Sequence, residues 1–382
     1  MAGTVADEPR AEIEAKLSLV RDWLDRSGVR GVALTRLGPV AWLSGGLTNP
    51  IDRGDPTSPL WFVVTADRAA ALTTTVERPR LAAETQLGQL GFALEEVPWF
   101  DGDAFVRAIE EIAGAGRAEL ASDGHGEFGI DGDDDLTALR LRLLPAEQER
   151  LAALGRDAAR ALEDAVSAWR PGERDVDVQA RVAEGLEQAG ALPVCLIVGG
   201  DERVERFRHP LAAGEPVRRL LMAVVVAMRG GLHVAATRFA CADGLPETAG
   251  AAFEAARDVE AAMLAASRPG ATYGDVLRAC EQAYAEAGHP GAWREHYQGG
   301  PIGYRQREFE IAPSQRTSRW FSQPIEAGHA IAWNPSVAGG GKTEDTFIVE
   351  DGDLRCVTET GAWPLVQVRG GRRRSGVLEI AR

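Results

Sequence analysis

The stretch RPGERDVDVQARVAEGLEQAG at residues 170–190 returns 98 residues later as RPGATYGDVLRACEQAYAEAG at residues 268–288. Three anchors keep one register without a gap: Arg170-Pro171-Gly172, Asp177-Val178 and Ala189-Gly190 match Arg268-Pro269-Gly270, Asp275-Val276 and Ala287-Gly288. An alanine-rich amphipathic segment precedes the Pro-Gly in both copies, and 19 residues separate each Pro from its closing Gly. Self-similarity of this kind constrains a whole architecture. Two copies are too few for a solenoid, so the reading is a pseudo-symmetric domain of two similar halves facing each other across a cleft.

Working outward, apolar residues recur at three- and four-residue spacing over 148–169, which predicts a helix that the Pro-Gly ends, since Pro cannot continue one. The next helix runs to Gly190, where a left-handed cap is wanted, and Thr272 with Asp275 has capping-box spacing at the equivalent start in copy two. After each helix pair the sequence turns β-like. Residues 220–228 are an apolar run, Arg229-Gly230-Gly231 a tight turn and 232–239 the return strand. Residues 330–337 and 346–349 pair similarly in copy two, with a further strand after Asp351-Gly352-Asp353. Each half is thus two helices over an antiparallel sheet, at about 148–245 and 246–355 of a domain spanning 146–382.

Upstream, residues 11–27 read as a helix, 32–34 and 40–43 as short strands, and 61–64 and 70–74 as two more. A helix from about Arg78, another over 103–113 and a strand at 118–121 complete an α/β domain over residues 1–145.

The chain has 382 residues, 45% apolar and 26% charged, as expected of a soluble globular protein with two domains. Its net charge of −15 argues against nucleic acid or an anionic membrane as partner. No apolar run approaches a membrane span, and the polar N-terminus carries no signal-peptide pattern. Cys195, Cys241, Cys280 and Cys356 are widely spaced, which fits a reducing, cytoplasmic compartment and gives no zinc or redox signature. Lysine occurs only at Lys16 and Lys342, read here as coding bias, and the basic run 369–374 reads as a solvated end. Gly341-Lys342-Thr343 is not a phosphate loop: position 336 is Ser rather than Gly, and a strand follows where a helix is needed.

Five local motifs lie in order along nearly the whole chain: Trp42-Leu43-Ser44-Gly45, Arg208-His209-Pro210, Gly231-Leu232 through Thr237-Arg238, Gly299-Gly300-Pro301-Ile302-Gly303-Tyr304, and Glu344-Asp345-Thr346. With the duplicated helix-helix-sheet unit behind an α/β domain, they resemble the creatinase and Xaa-Pro aminopeptidase family. The resemblance implies the pita-bread fold: an α/β N-terminal domain and an α+β C-terminal domain with a curved antiparallel sheet and outer helices. It also implies a cleft holding two divalent cations on two Asp, one His and two Glu. Those positions fall here on Val224, Ala235, Gly300, Asn334 and Glu344, and only the last retains its carboxylate. No metal and no other cofactor is therefore expected.

Creatinase is a metal-free member that uses a cleft His as acid/base. By that resemblance His209 is the expected general acid/base and Glu344 the group that orients it or the substrate. Creatinase keeps a further cleft Glu where this chain has Ala235, so its own activity is not carried over. Asn334, His296, Tyr304 and Arg238 are the expected substrate contacts. The leading expectation is a metal-independent enzyme acting by acid/base chemistry at a C–N bond of a small molecule, by hydrolysis or rearrangement. The alternatives are a non-catalytic pseudopeptidase that binds a peptide or protein in the cleft, and an Xaa-Pro metallopeptidase with shifted ligands such as His296 or Glu308. The resemblance further implies a homodimer in which Trp61 or the loop 48–57 approaches the other subunit's cleft.

Overall fold

The repeated segments set the frame of the structure, a computed structural model that describes residues 7–48 and 51–380. Helices Pro145–Ser167 and Asp175–Gln188 form the first pair, and Glu247–Ala266 and Tyr273–Glu286 the second. The second helix of each pair begins and ends at the 98-residue offset of the sequence repeat. The glycines that follow, Gly190 at φ 69° and Gly288 at φ 85°, take the left-handed conformation that closes a helix and that a side chain would disfavour. Thr272 and Asp275 cap each other: the Asp275 amide donates to Thr272 Oγ1 at 3.1 Å and the Thr272 amide to Asp275 Oδ2 at 2.8 Å.

The chain divides into two units, Met1–Arg140 and Leu141–Arg382. In the first, a six-stranded mixed sheet runs in the spatial order Ala93–Val97, Ala69–Thr74, Thr57–Val64, Gly31–Arg36, Leu120–Ser122, Ile130–Asp131. Its core packs Trp61, Val63 and Leu72 of the sheet against Val106 and Ile109 of helix Ala104–Ala113. Residues 40–43, expected as a strand, belong to helix Leu37–Leu43, whose early Pro39 suits a first turn that needs no amide donor there. Trp61 is 8% exposed and donates its indole N–H to the Ser58 carbonyl at 2.8 Å, so it is a core residue and not a free anchor for a partner. Of the loop 48–57, residues 49 and 50 lie outside the described residues.

In the second unit, one four-stranded sheet has the order Val377–Ile380, Leu232–Ala242, Leu220–Arg229, Leu192–Gly200, and another has Gly299–Pro301, Ala330–Trp333, Thr346–Val349, Leu354–Cys356. The two sheets join where the Thr237 amide donates to the Glu344 carbonyl at 2.9 Å and the Thr346 hydroxyl bridges the Ala235 amide and carbonyl at 2.8 and 3.0 Å. The expected strand 330–337 breaks at Asn334-Pro335, because Pro335 has no amide for the ladder; Ser336–Val337 instead pairs with Gly341–Lys342. The fold is the pita-bread architecture. Among the described residues no helix is long and apolar enough to cross a membrane, and all four cysteines are free.

The basic run 369–374 is not a solvated end throughout. Arg374 is 2% exposed and forks onto Glu260 at 2.6 and 2.7 Å and onto Asp345 at 2.9 Å. Arg238 extends the network, pairing with Asp345 and Glu163, each at 2.9 Å.

Burial also tunes one histidine of the fold. His329 is buried with Nδ1 at 3.0 Å from the Tyr273 hydroxyl, and burial, then the Arg142 charge, push its pKa down to about 4. An unfolded His binds its proton near pH 6.5, so between about pH 6.5 and 4 the unfolded chain holds a proton that His329 refuses. Stability contributed by this site is present above pH 6.5 and falls as the pH drops. His329→Gln should therefore lower the slope of unfolding free energy against pH, measured by urea unfolding from pH 4.5 to 6, by about one proton.

Candidate functional site

The hairpin Leu220–Arg229 with Leu232–Ala242 forms the floor. Val224 faces Thr237 across the pair and Val226 faces Ala235, so these four side chains share one face. That face carries the Thr237 hydroxyl, which donates to Glu344 Oε2 at 3.2 Å. Arg307 closes the other side of Glu344, its guanidinium 2.6 Å from Oε1. Asn334, at the strand break, turns Oδ1 toward Lys342 Nζ, which donates to it and approaches His296 Nε2 at 3.4 Å. Lys342 is 4% exposed, and burial pushes its pKa down to about 8 against the raising effect of Glu344.

The five positions that the family resemblance marks for metals do not fit two cations. Val224 and Ala235 are a buried aliphatic floor, Gly300 has no side chain, and Asn334 offers a neutral amide already engaged by an ammonium. The remaining carboxylate, Glu344, is held by a guanidinium. Gly300 has no room for an imidazole, since a Cβ there would lie 2.0 Å from the Phe309 carbonyl oxygen. Shifted ligands fare no better: Glu308 Oε1 accepts the Tyr304 amide at 2.8 Å and the Arg305 amide at 3.2 Å. His296 faces His209 and Lys342. No group of three or more His, Cys, Asp or Glu among the described residues is placed to hold a metal ion.

The chemistry left in the cleft centres on two imidazoles. His209, exposed, places Nε2 3.1 Å from Nε2 of the half-buried His296. His296 Nδ1 lies 2.5 Å from the Tyr297 carbonyl, an acceptor, so Nδ1 carries the proton. Burial, then Lys342, pushes the His296 pKa down to about 2, so the ring is neutral and its Nε2 is a lone-pair acceptor. His209 Nε2 must then be the N–H donor of the pair, which leaves its Nδ1 lone pair without a protein partner among the described residues. Partial desolvation of the ring and then Lys342 also lower the His209 pKa, which favours the neutral imidazole. Cys195 lies near Glu344 and Lys342, but burial raises its pKa and keeps the thiol protonated.

Of the expected site residues, the structure brings His209, His296, Asn334 and Glu344 to one cleft region. The direct partner of His209 is His296, not Glu344, whose two oxygens go to Thr237 and Arg307. Two expected substrate contacts are packing residues instead. Tyr304 is 1% exposed and its hydroxyl donates to Glu147 at 2.6 Å; Arg238, also 1% exposed, is spent on the buried network with Glu163 and Asp345. Lys342 and Arg307 were not foreseen. The rarity of lysine in this chain was the one signal for the first, because the other lysine, Lys16, is also buried, on Glu12 and the Trp42 carbonyl.

Fold and cleft together define a pita-bread protein whose site lacks the paired carboxylates of a dinuclear centre. The model of metallopeptidase family M24 matches residues 149–351. The chain belongs to that family and is peptidase-like at that level. Among solved structures it is similar to dipeptidase PepE from Mycobacterium ulcerans, at 19% identity and TM-score 0.75 over 98% of this chain and 99% of that one. It is also similar to the prolidase from Pyrococcus horikoshii, at 17% and 0.72 over 91% and 98%. The N-terminal domain of the FACT complex subunit SPT16 from chickpea, at 12% and 0.68 over 92% and 97%, shares the fold as well. No curated protein sequence matches the chain.

Proposed function

We propose that this M24 member is a metal-independent enzyme that performs acid/base chemistry at a C–N bond of a small molecule, with His209 as the proton-transfer group. The observation that carries the reading is the unengaged Nδ1 lone pair of His209 at the cleft mouth, its tautomer set by the His296 contact. His209 Nδ1 takes a proton from water or substrate and returns it to the departing nitrogen, so the two halves of the step balance on one imidazole. The imidazolium that forms between them is stabilised through space by Glu344, which acts to raise the His209 pKa. The pair Arg307–Glu344 and the hydroxyl of Thr237 hold that carboxylate in place. A cytoplasmic homodimer goes with this reading by family resemblance.

The test is turnover of Xaa-Pro dipeptides and N-acyl or N-carbamoyl amino acids by protein dialysed against a chelator. We expect chelator-insensitive turnover that falls about 100-fold or more in His209→Ala, with an unchanged melting temperature. A requirement for stoichiometric divalent metal, or an unimpaired His209→Ala enzyme, overturns it.

A second reading, a cleft that binds a peptide or protein without turning it over, is favoured by exposed apolar side chains close to His209 in the chain or beside His296: Phe207, Leu211 and Tyr297 are 46%, 61% and 68% exposed. Absence of turnover across the panel, with peptide binding retained in His209→Ala, selects it.

A further inference from the structure

The charges around the cleft do not cancel equally. Arg307 has Glu344 at 2.6 Å and Arg208 has Glu295 at 2.6 Å. Lys342 has no carboxylate in ion-pair range among the described residues; its acceptor is the neutral Asn334 amide oxygen, and the His296 Nε2 that it approaches at 3.4 Å already faces the His209 N–H at 3.1 Å. An ammonium has three donors, and only Asn334 Oδ1 takes one outright. Lys342 is 4% exposed, yet it lines a cavity of about 170 Å³ together with Phe207, Arg208, Met222, Glu295 and Ser336. A buried charge without an ion-pair partner is costly, and the nearby Glu344 carboxylate, which acts on Lys342 only through space, is already taken by Arg307.

The sign of the site is therefore inverted with respect to a metal centre. Where carboxylates would gather around cations, Val224, Ala235 and Asn334 carry no charge, Glu344 is taken by Arg307, and an ammonium without an ion-pair partner stands beside them. We propose that this cavity binds an oxyanion of the ligand, a carboxylate or a phosphate, on the Lys342 ammonium, with the Arg208 guanidinium and the Ser336 hydroxyl at its edge. Arg208 NH1 is 3.3 Å from Ser336 Oγ, so the two groups already lie together on the cavity wall. The exposed Phe207 ring on the same wall and Tyr297 beside His296 leave the mouth suited to an apolar or aromatic remainder. The proposal deepens the enzymatic reading by naming the substrate class, a small acid. It rests on that reading only for what happens after binding.

Binding is measured without turnover, so the two fail separately. Isothermal titration of the full chain compares benzoylglycine with its neutral amide, benzoylglycinamide, and phenyl phosphate with phenol. The acid of at least one pair should bind tenfold or more tighter than its neutral partner, and the pair that shows the preference tells carboxylate from phosphate. In Lys342→Met the preference should fall to less than twofold with the cooperative melt retained. Lys342→Arg, which keeps the charge, should keep part of it. Equal binding of acids and neutral partners by the native chain, or an acid preference that survives in Lys342→Met, overturns the proposal. The first comparison needs no variant and decides even where a variant does not fold.

Discussion

Arg374→Met should cost about 3–5 kcal/mol of stability, the range for removing one partner of a buried charge pair. The substitution keeps length and apolar contact while deleting the fork that holds Glu260 by two bonds and Asp345 by one. Glu260 is 0% exposed, and its remaining partner is the Thr343 hydroxyl at 2.9 Å. Asp345 keeps Arg238 and the Thr358 hydroxyl, so Glu260 is the group left stranded. For a unit of this size the loss corresponds to a fall of about 6–20 °C in melting temperature. The deficit should depend on pH in a stated direction. Burial already raises the Glu260 pKa with Arg374 present, and without it the folded value rises further above 4.5. A carboxyl with a raised folded pKa stabilises below its unfolded value and costs stability as the pH climbs through the folded one. The variant should therefore trail the native chain by more at pH 8 than at pH 5. Adding Glu260→Gln should recover most of the loss. A melting temperature within 2 °C of native, about 0.5–1 kcal/mol for this size, would rule out the network as a support.

The network matters to the cleft because of where it sits. Thr343 donates to Glu260 and Asp345 binds two arginines, so the residues on both sides of Glu344 are anchored in it. Glu344 thus has one oxygen on Arg307, one on Thr237, and its backbone fixed at the joint between the two sheets. Loss of Arg374 should loosen this loop before the unit unfolds.

None of this was legible along the chain, and the reason is distance. Arg374 and Glu260 are 114 residues apart, and Arg238 and Asp345 107. Periodicity reads local structure, which is why the helices of the repeat, their glycine caps and the Thr272 box were visible from residue types alone. It failed where a short apolar run had no period to speak of: 40–43 reads equally as strand or helix, and tertiary packing chose the helix. It failed again at Asn334-Pro335, where the β-rich run concealed a break that Pro335 alone should have signalled. In the cleft, His209, Asn334 and Glu344 were reached by resemblance in motif order. Lys342 and Arg307 fall on positions to which the resemblance assigned no role, and an argument that carries residues over from a family is blind to charges a chain has added. Tyr304 and Arg238 show the opposite error, since a motif match said nothing about which way each side chain turns.

Restoring the metal ligands should fail, and Gly300 decides the outcome. Strand Gly299–Pro301 is enclosed on both sides. It pairs with Ala330–Trp333 in the sheet, and on its other edge the Glu308 amide donates to the Pro301 carbonyl at 2.9 Å and the Ile311 amide to the Gly299 carbonyl at 3.0 Å. Glu310 clamps the same edge by accepting the Gly299 amide at 2.5 Å, and Phe309 stacks on Trp320 with ring centroids 4.5 Å apart. A Cβ on Gly300 would sit 2.0 Å from the Phe309 carbonyl oxygen, which is backbone and cannot rotate aside. Overpacking a core costs about 1–3 kcal/mol when side chains can yield, and here the segment 308–311 would have to peel off the strand, so Gly300→Ala should exceed about 3 kcal/mol. Gly300→His should abolish the cooperative melt. Val224→Asp and Ala235→Asp each bury a carboxylate on an apolar floor, at several kcal/mol apiece unless a cation arrives to match it. The variant carrying both aspartates with Gly300→His and Asn334→Glu should therefore bind no stoichiometric manganese by calorimetry and show no cooperative unfolding. A native-like melt for Gly300→His, or two manganese ions bound per chain by the fourfold variant, would show that the segment 308–311 yields and that the metal site is lost only at the level of side chains. The expected failure places the loss in the backbone: the strand that would carry the histidine has been covered by the segment that supplies Arg307 and Glu310 to the cleft.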